Sequence, residues 1–161
     1  MTKEKKKEIE DELKNYHIIS ADIQRLDAEL VKIQAKLEDA YTPSNMAVNP
    51  ELARVQKTEL DSQVERIVVI RLENIKRDIK DTETQLFIKR DEKKKAELWV
   101  EAARLTGTEE EYVRLRYWEN NKAELLPKLS RVLNYQPTQL ERIRDALLEK
   151  LRAPYEVLYR K

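Results

Sequence analysis

Gln139 and Arg142 lie three residues apart in the C-terminal third of the chain, and their side chains suit the reading of nucleobase edges. A glutamine amide pairs in two-pronged fashion with an adenine edge, and a guanidinium does the same with guanine. Each good pair of this kind is worth about 1–3 kcal/mol of discrimination. At helical spacing Thr138, Glu141 and Asp145 share the outward face with them. Lys122, Lys128, Arg131 and Arg144 stand nearby and could contact phosphates, which positions a protein on DNA without reading sequence. This is the chemistry of recognition and not of bond breaking.

Catalytic sets are missing. With no cysteine there is no thiolate nucleophile, disulfide or thiolate zinc site. His17 is the only histidine and sits beside an apolar seam position, where it reads as a surface residue. Carboxylate pairs such as Asp11/Glu12 and Glu109/Glu110 are frequent because charged residues make up 39% of the chain. Nothing singles out two of them as held in separate environments. A single glycine does not build a phosphate-cradling loop. We expect no enzyme activity, no cofactor and no metal.

The elements that must carry the recognition residues are helices. The composition is 40% hydrophobic, with one Gly and five Pro in 161 residues, as in long helices and coiled coils. Tyr16, Ile19, Ile23, Leu26, Leu30, Ile33 and Leu37 alternate spacings of three and four, a heptad seam. Ile9 and Leu13 extend that face. The pattern predicts one helix over about residues 2–39, about 55 Å long. Turn chemistry follows at Tyr41–Asn45. Asn49-Pro50-Glu51 has the form of a new helix start, with Asn as N-cap and Pro first. From residue 50 to about 105 there is no Gly and no further Pro, and Leu72, Ile75, Ile79, Thr82 and Leu86 resume the seam behind Val64 and Val68. This second helix, about 80 Å long, pairs antiparallel with the first. Being longer, it is expected to overhang the first helix over about Arg90–Leu105, with Trp99, Ala102 and Leu105 packing on whatever follows. Trp99 and Trp118 both read as core anchors. Ile67, Val68, Val69 and Ile70 are apolar on every side of one turn. They form either a thick layer of the hairpin core or an oligomer interface, most simply of a homodimer.

Gly107, the lone glycine, falls where the long helix must stop and is expected to close it in the left-handed conformation. Thr108 and Glu111 then form a capping box, starting a support helix at Glu109 with Tyr112, Val113, Leu115 and Tyr117 or Trp118 on its buried side. Asn120-Asn121 ends it. The next helix carries Leu125, Leu126, Leu129, Val132 and Leu133, with Pro127 in its first turn. Asn134-Tyr135-Gln136 turns the chain, and Pro137 opens a last helix faced by Leu140, Ile143, Leu147, Leu148 and Leu151. A support helix and two helices about a tight bend make a helix-turn-helix. The predicted fold is thus all-α: a long antiparallel helical hairpin (1–105) followed by a small helix-turn-helix domain (106–161).

Charge favours that domain for nucleic acid. The whole chain is nearly neutral, with 32 basic and 31 acidic residues, but Arg114–Lys161 holds eleven Lys or Arg against six Asp or Glu. Lys3–Glu12 and Lys89–Glu97 read as solvated helix faces. No apolar run spans a bilayer, and Met1–Glu12 is too charged for a signal peptide, so a cytoplasmic protein with no membrane partner is expected.

Leu105-Thr106, Leu115-Arg116-Tyr117 and the stretch from Leu140 to Arg152 resemble region 4 of sigma-70-type factors. Ser130 falls where that module keeps Gly or Ala for close packing, and Asn134 where it keeps the Gly of its turn. Behind a long charged helical N-terminus, such a module is similar to the phage late-gene transcription activators of the ArpU, RinA and LtrC type. The resemblance implies binding of double-stranded DNA at a late promoter and work with host RNA polymerase. It places the base-reading positions on Pro137, Thr138, Gln139, Glu141 and Arg142. Pro137 and Glu141 depart from the basic residues usual there, which leaves the promoter sequence open. Two other function classes fit the sequence: a phage small terminase subunit, and a coiled-coil adaptor that does not bind DNA.

Overall fold

The computed structural model describes residues 1–41, 59–119 and 126–159. They form α1 (Lys3–Tyr41), α2 (Glu59–Ala102), α3 (Gly107–Val113) continued by a π-helical turn (Arg114–Trp118), α4 (Leu126–Leu133) and α5 (Pro137–Tyr159). The fold is all-α, with two long helices packed against each other and a small helical part. The expected helix start at Asn49-Pro50, the side chain of Val64, the stop at Asn120-Asn121 and the residues Lys122 and Leu125 lie outside the described set.

Contacts divide the chain into two compact units, Met1–Ile23 with Ile88–Lys161, and Gln24–Phe87. The chain-order division at 105/106 is not the one the contacts draw. The reason is the first unit's core, where Ile9 and Leu13 of α1 and Trp99 and Val100 of α2 join Tyr112, Val113, Tyr117, Leu129, Leu140, Leu147, Leu148 and Leu151. The small helices complete their core with both ends of the hairpin sequence.

In the second unit the heptad seam is closed. Leu26, Ile75, Thr82 and Leu86 are buried, and Leu30, Ile33, Leu37, Leu72 and Ile79 are half-buried. Thr82 fits this apolar seam because its hydroxyl donates to the Asp78 carbonyl at 2.8 Å, leaving no unpaired polar atom. Ile67, Val68, Val69 and Ile70 are 43–65% exposed. Among the described residues they do not form the thick core layer that was one of the two expectations.

In the first unit α1 and α2 run antiparallel: Tyr16 donates to Glu97 at 2.8 Å and has the Lys93 ammonium 5.4 Å from its ring centre. Burial first, then the Glu97 carboxylate, pushes the Tyr16 hydroxyl up to about 12. The expected overhang of Arg90–Leu105 is not seen, because the first turns of α1 lie along this stretch. Trp99 is fully buried; its indole N–H donates to the Leu151 carbonyl at 2.9 Å, and Tyr155 and Tyr159 pack on its ring. Leu105 is buried, whereas Ala102 is exposed.

The junction after α2 corrects two expectations. Arg104, with φ of 49°, takes the left-handed conformation, and Gly107 does not. Gly107 instead opens α3. The N-cap is Thr106 and not Thr108: Thr106 Oγ1 accepts from the Glu109 N–H, while Glu109 accepts from the Thr106 N–H at 2.7 Å. Both Thr106/Glu109 and Thr108/Glu111 have capping-box spacing. Tertiary contact chooses the first, since Lys150 of α5 reaches the Glu109 carboxylate at 2.6 Å. Past Val113 the helix widens into the π turn, with the Glu119 N–H donating to the Arg114 carbonyl at 2.9 Å. That widening buries Tyr112, Val113 and Tyr117 and leaves Leu115 and Trp118 half-buried.

Candidate nucleic-acid interface

α4 and α5 meet at a tight bend. Asn134 sits at φ 56°, the left-handed conformation that the bend requires and that asparagine tolerates better than most residues. The Ser130 hydroxyl donates to the Tyr135 carbonyl at 2.7 Å and so ties α4 to the bend. Leu129, Leu140, Leu147 and Leu148 are buried beneath it. Leu133 and Ile143 are half-buried.

Pro137 is the first residue of α5, where its missing N–H costs nothing. The Gln139 side-chain carbonyl accepts the Gln136 N–H at 3.0 Å. One expected base reader therefore also caps its own helix; to reach a base, Gln139 must release Gln136, whose N–H is exposed to water. Pro137, Thr138, Gln139, Glu141 and Arg142 are all exposed and stand together on the first turns of α5.

The expected phosphate contacts separate into two groups. Lys128 and Arg131 on α4 are exposed. Neither they nor Arg142 forms an ion pair among the described residues. Arg144 is engaged: its Nε lies 3.2 Å from Glu10 Oε1 of α1, an ion pair without hydrogen-bond alignment, and 4.0 Å from Asp145. Asp145 in turn accepts from Lys6 at 2.8 Å, which holds its carboxyl below the ordinary range. The Tyr117 hydroxyl donates to the same Glu10 oxygen at 3.0 Å. Burial first, then Glu10, pushes that hydroxyl well above its ordinary value. Farther along α5, Lys5 pairs with Glu156 at 2.9 Å and Arg152 with Glu149 at 3.4 Å. The first turns of α1 thus occupy the charged flank of α5 from residue 144 onward and leave its N-terminal turns open.

Sequence reading missed Lys5, Lys6 and Glu10 as partners of α5. Their charge run has no local signal for it, because the pairs join residues well over a hundred positions apart. His17 is likewise more than a surface residue: its Nδ1 is 3.1 Å from the Trp118 carbonyl, and the neighbouring Tyr16 ring stacks on Trp118 at 4.1 Å. Arg116 lies 5.8 Å from the Tyr112 ring centre and 5.7 Å from that of Tyr117, supporting the π turn from the side.

No group of acidic or histidine side chains among the described residues could hold a metal ion, and no described helix is long and apolar enough to cross a membrane. No family model, curated protein or solved structure matches the chain.

Proposed function

We propose that the protein is a sequence-specific regulator of transcription that binds double-stranded DNA through α4 and α5. One observation carries this reading. The cations without an ion-pair partner among the described residues of these two helices are Lys128 and Arg131 on α4 and Arg142 on the exposed first turns of α5. Arg144, Lys150 and Arg152, which lie farther along, are paired. The N-terminal turns of a helix suit entry into the major groove, since their partial positive charge faces the phosphates. In this reading Thr138, Gln139, Glu141 and Arg142 meet base edges, Pro137 sets the start of the helix, and Lys128 and Arg131 meet phosphates, joined by Lys122 and by Arg144 once it leaves Glu10.

The resemblance to the ArpU, RinA and LtrC type extends the proposal. The protein activates phage late genes in the host cytoplasm together with host RNA polymerase, and no catalytic step of its own is involved. The exposed turn Ile67–Ile70 supports a homodimer, since a helical turn apolar on all sides needs cover that the described residues do not supply.

The deciding experiment is footprinting of the full chain on the genomic region around its own gene, with Arg142→Ala as control. A protected site that Arg142→Ala loses, at unchanged helical content, supports the proposal. Absence of any protected site, or salt-independent binding, would falsify it.

A further inference from the structure

We propose that a groove between the last turns of α2 and the α3 segment is a docking site for a basic amphipathic helix of a partner protein. The groove lies within the first unit and has a volume of about 610 Å³. Its floor is apolar, made by Val100, Val113 and the half-buried ring of Trp118, whose indole N–H has no acceptor among the described residues. Its rim is acidic. Glu97 accepts the Tyr16 hydroxyl and Glu111 pairs with Arg114 at 3.5 Å. Glu101 and Glu110 are exposed and form no ion pair among the described residues.

Gly107 supplies a second, independent observation. A Cβ there would have no heavy atom of the described residues within 4 Å beyond its chain neighbours and its own helix backbone, and the backbone is not in the left-handed region. Neither conformation nor internal packing asks for glycine at this position. Gly107 lines the groove, so a long side chain there would stand beside its occupant.

These features select one occupant. An apolar floor between carboxylates matches a helix with an apolar stripe flanked by Lys or Arg, the helix-in-groove mode of recognition. The acidic rim repels nucleic acid, so the groove is distinct from the DNA-binding face proposed above. A second copy is disfavoured as well. A two-fold contact through this patch would set one acidic rim against the other.

The test uses the full chain and a fluorescent synthetic helix of leucines at three-four spacing with lysines between them. Two control peptides replace its lysines by glutamates or its leucines by serines. Anisotropy should show saturable binding of the Leu/Lys peptide alone. In NMR spectra the Trp118 indole signal should move, and that of the buried Trp99 should not. Glu101→Lys combined with Glu110→Lys should weaken binding by about tenfold or more. Gly107→Gln should weaken it too, at an unchanged or higher melting temperature, which separates blockage from unfolding. Equal binding of the Ser/Lys peptide, no binding of the Leu/Lys peptide, or affinity untouched by both variants overturns the proposal. So does a wild-type oligomer that the double charge reversal dissociates, because a second copy would then cover the groove. DNA affinity read on the same samples keeps the two proposals apart: Arg142→Ala should lose DNA and keep the peptide.

Discussion

Arg142 and Glu109 show how differently two charged residues of the first unit are employed. Arg142 is exposed and without an ion-pair partner among the described residues, so removing its guanidinium leaves no buried charge behind. Arg142→Ala should cost about 1–3 kcal/mol of sequence-selective DNA binding, read as the gap between specific and non-specific affinity, and leave the melting temperature nearly unchanged. Glu109 is buried and serves three partners: the Thr106 N–H, the Thr106 hydroxyl and Lys150. Burial raises its pKa, but these hydrogen bonds outweigh burial and hold it below its ordinary value. A depressed folded-state pKa stabilises the fold above the unfolded value, and that stability is lost as pH falls through the folded one. Glu109→Ala should therefore lower stability by about 1–2 kcal/mol at neutral pH. Denaturation of wild type and variant side by side should show the gap closing in acid, below the ordinary carboxylate range.

At the scale of elements, the two left-handed residues carry the sharpest tests. Asn134 at φ 56° makes the bend that turns α4 into α5. Asn134→Gly should keep or raise stability by about 0.5–1 kcal/mol, and Asn134→Val should lower it by about 1–2 kcal/mol, since a β-branched side chain clashes there. Hydrogen exchange should place the damage of Asn134→Val at the start of α5. Both the bend and the start of α5 at Pro137 were legible in the sequence, because Asn and Pro act through their own backbones. The stop of α2 was not. Gly107 is the residue that local reasoning selects, yet Arg104 takes the left-handed turn, because burying Leu105 and seating Glu109 against Lys150 fix the register of α3. The π turn was illegible for the same reason: its widening answers to the packing of Tyr112 and Tyr117 and not to any residue with a helix-breaking preference.

For the molecule as a whole, the near-zero net charge hides a division of labour among its cations. Those engaged with carboxylates contribute little to long-range attraction, whereas Lys128, Arg131 and Arg142 are exposed and form no ion pair among the described residues. With Lys122, Lys128 and Arg131 on phosphates, as proposed above, the logarithm of DNA affinity should fall with the logarithm of salt at a slope of about −3. Glu10→Gln frees Arg144 and should steepen that slope by about one further phosphate contact. Titration at several salt concentrations measures both. The exposed turn Ile67–Ile70 makes a separate prediction. Val69→Glu should halve the mass seen by sedimentation if that turn joins two copies, and should leave the slope per chain unchanged.

Helix after helix was readable from residue types and spacing, since the three-four seam, the proline starts and the asparagine bend act over a few residues of chain. The candidate interface was readable to the same depth: Pro137, Thr138, Gln139, Glu141 and Arg142 do stand exposed on one stretch of helix. Which cations of that stretch are open was decided by tertiary structure, because Lys6 and Glu10 come to α5 from the far end of the chain. The same holds for the capping box, the closing of α2 and the shared core. In each, local preference allows two or more solutions of similar free energy, and burial of distant side chains against one another selects among them.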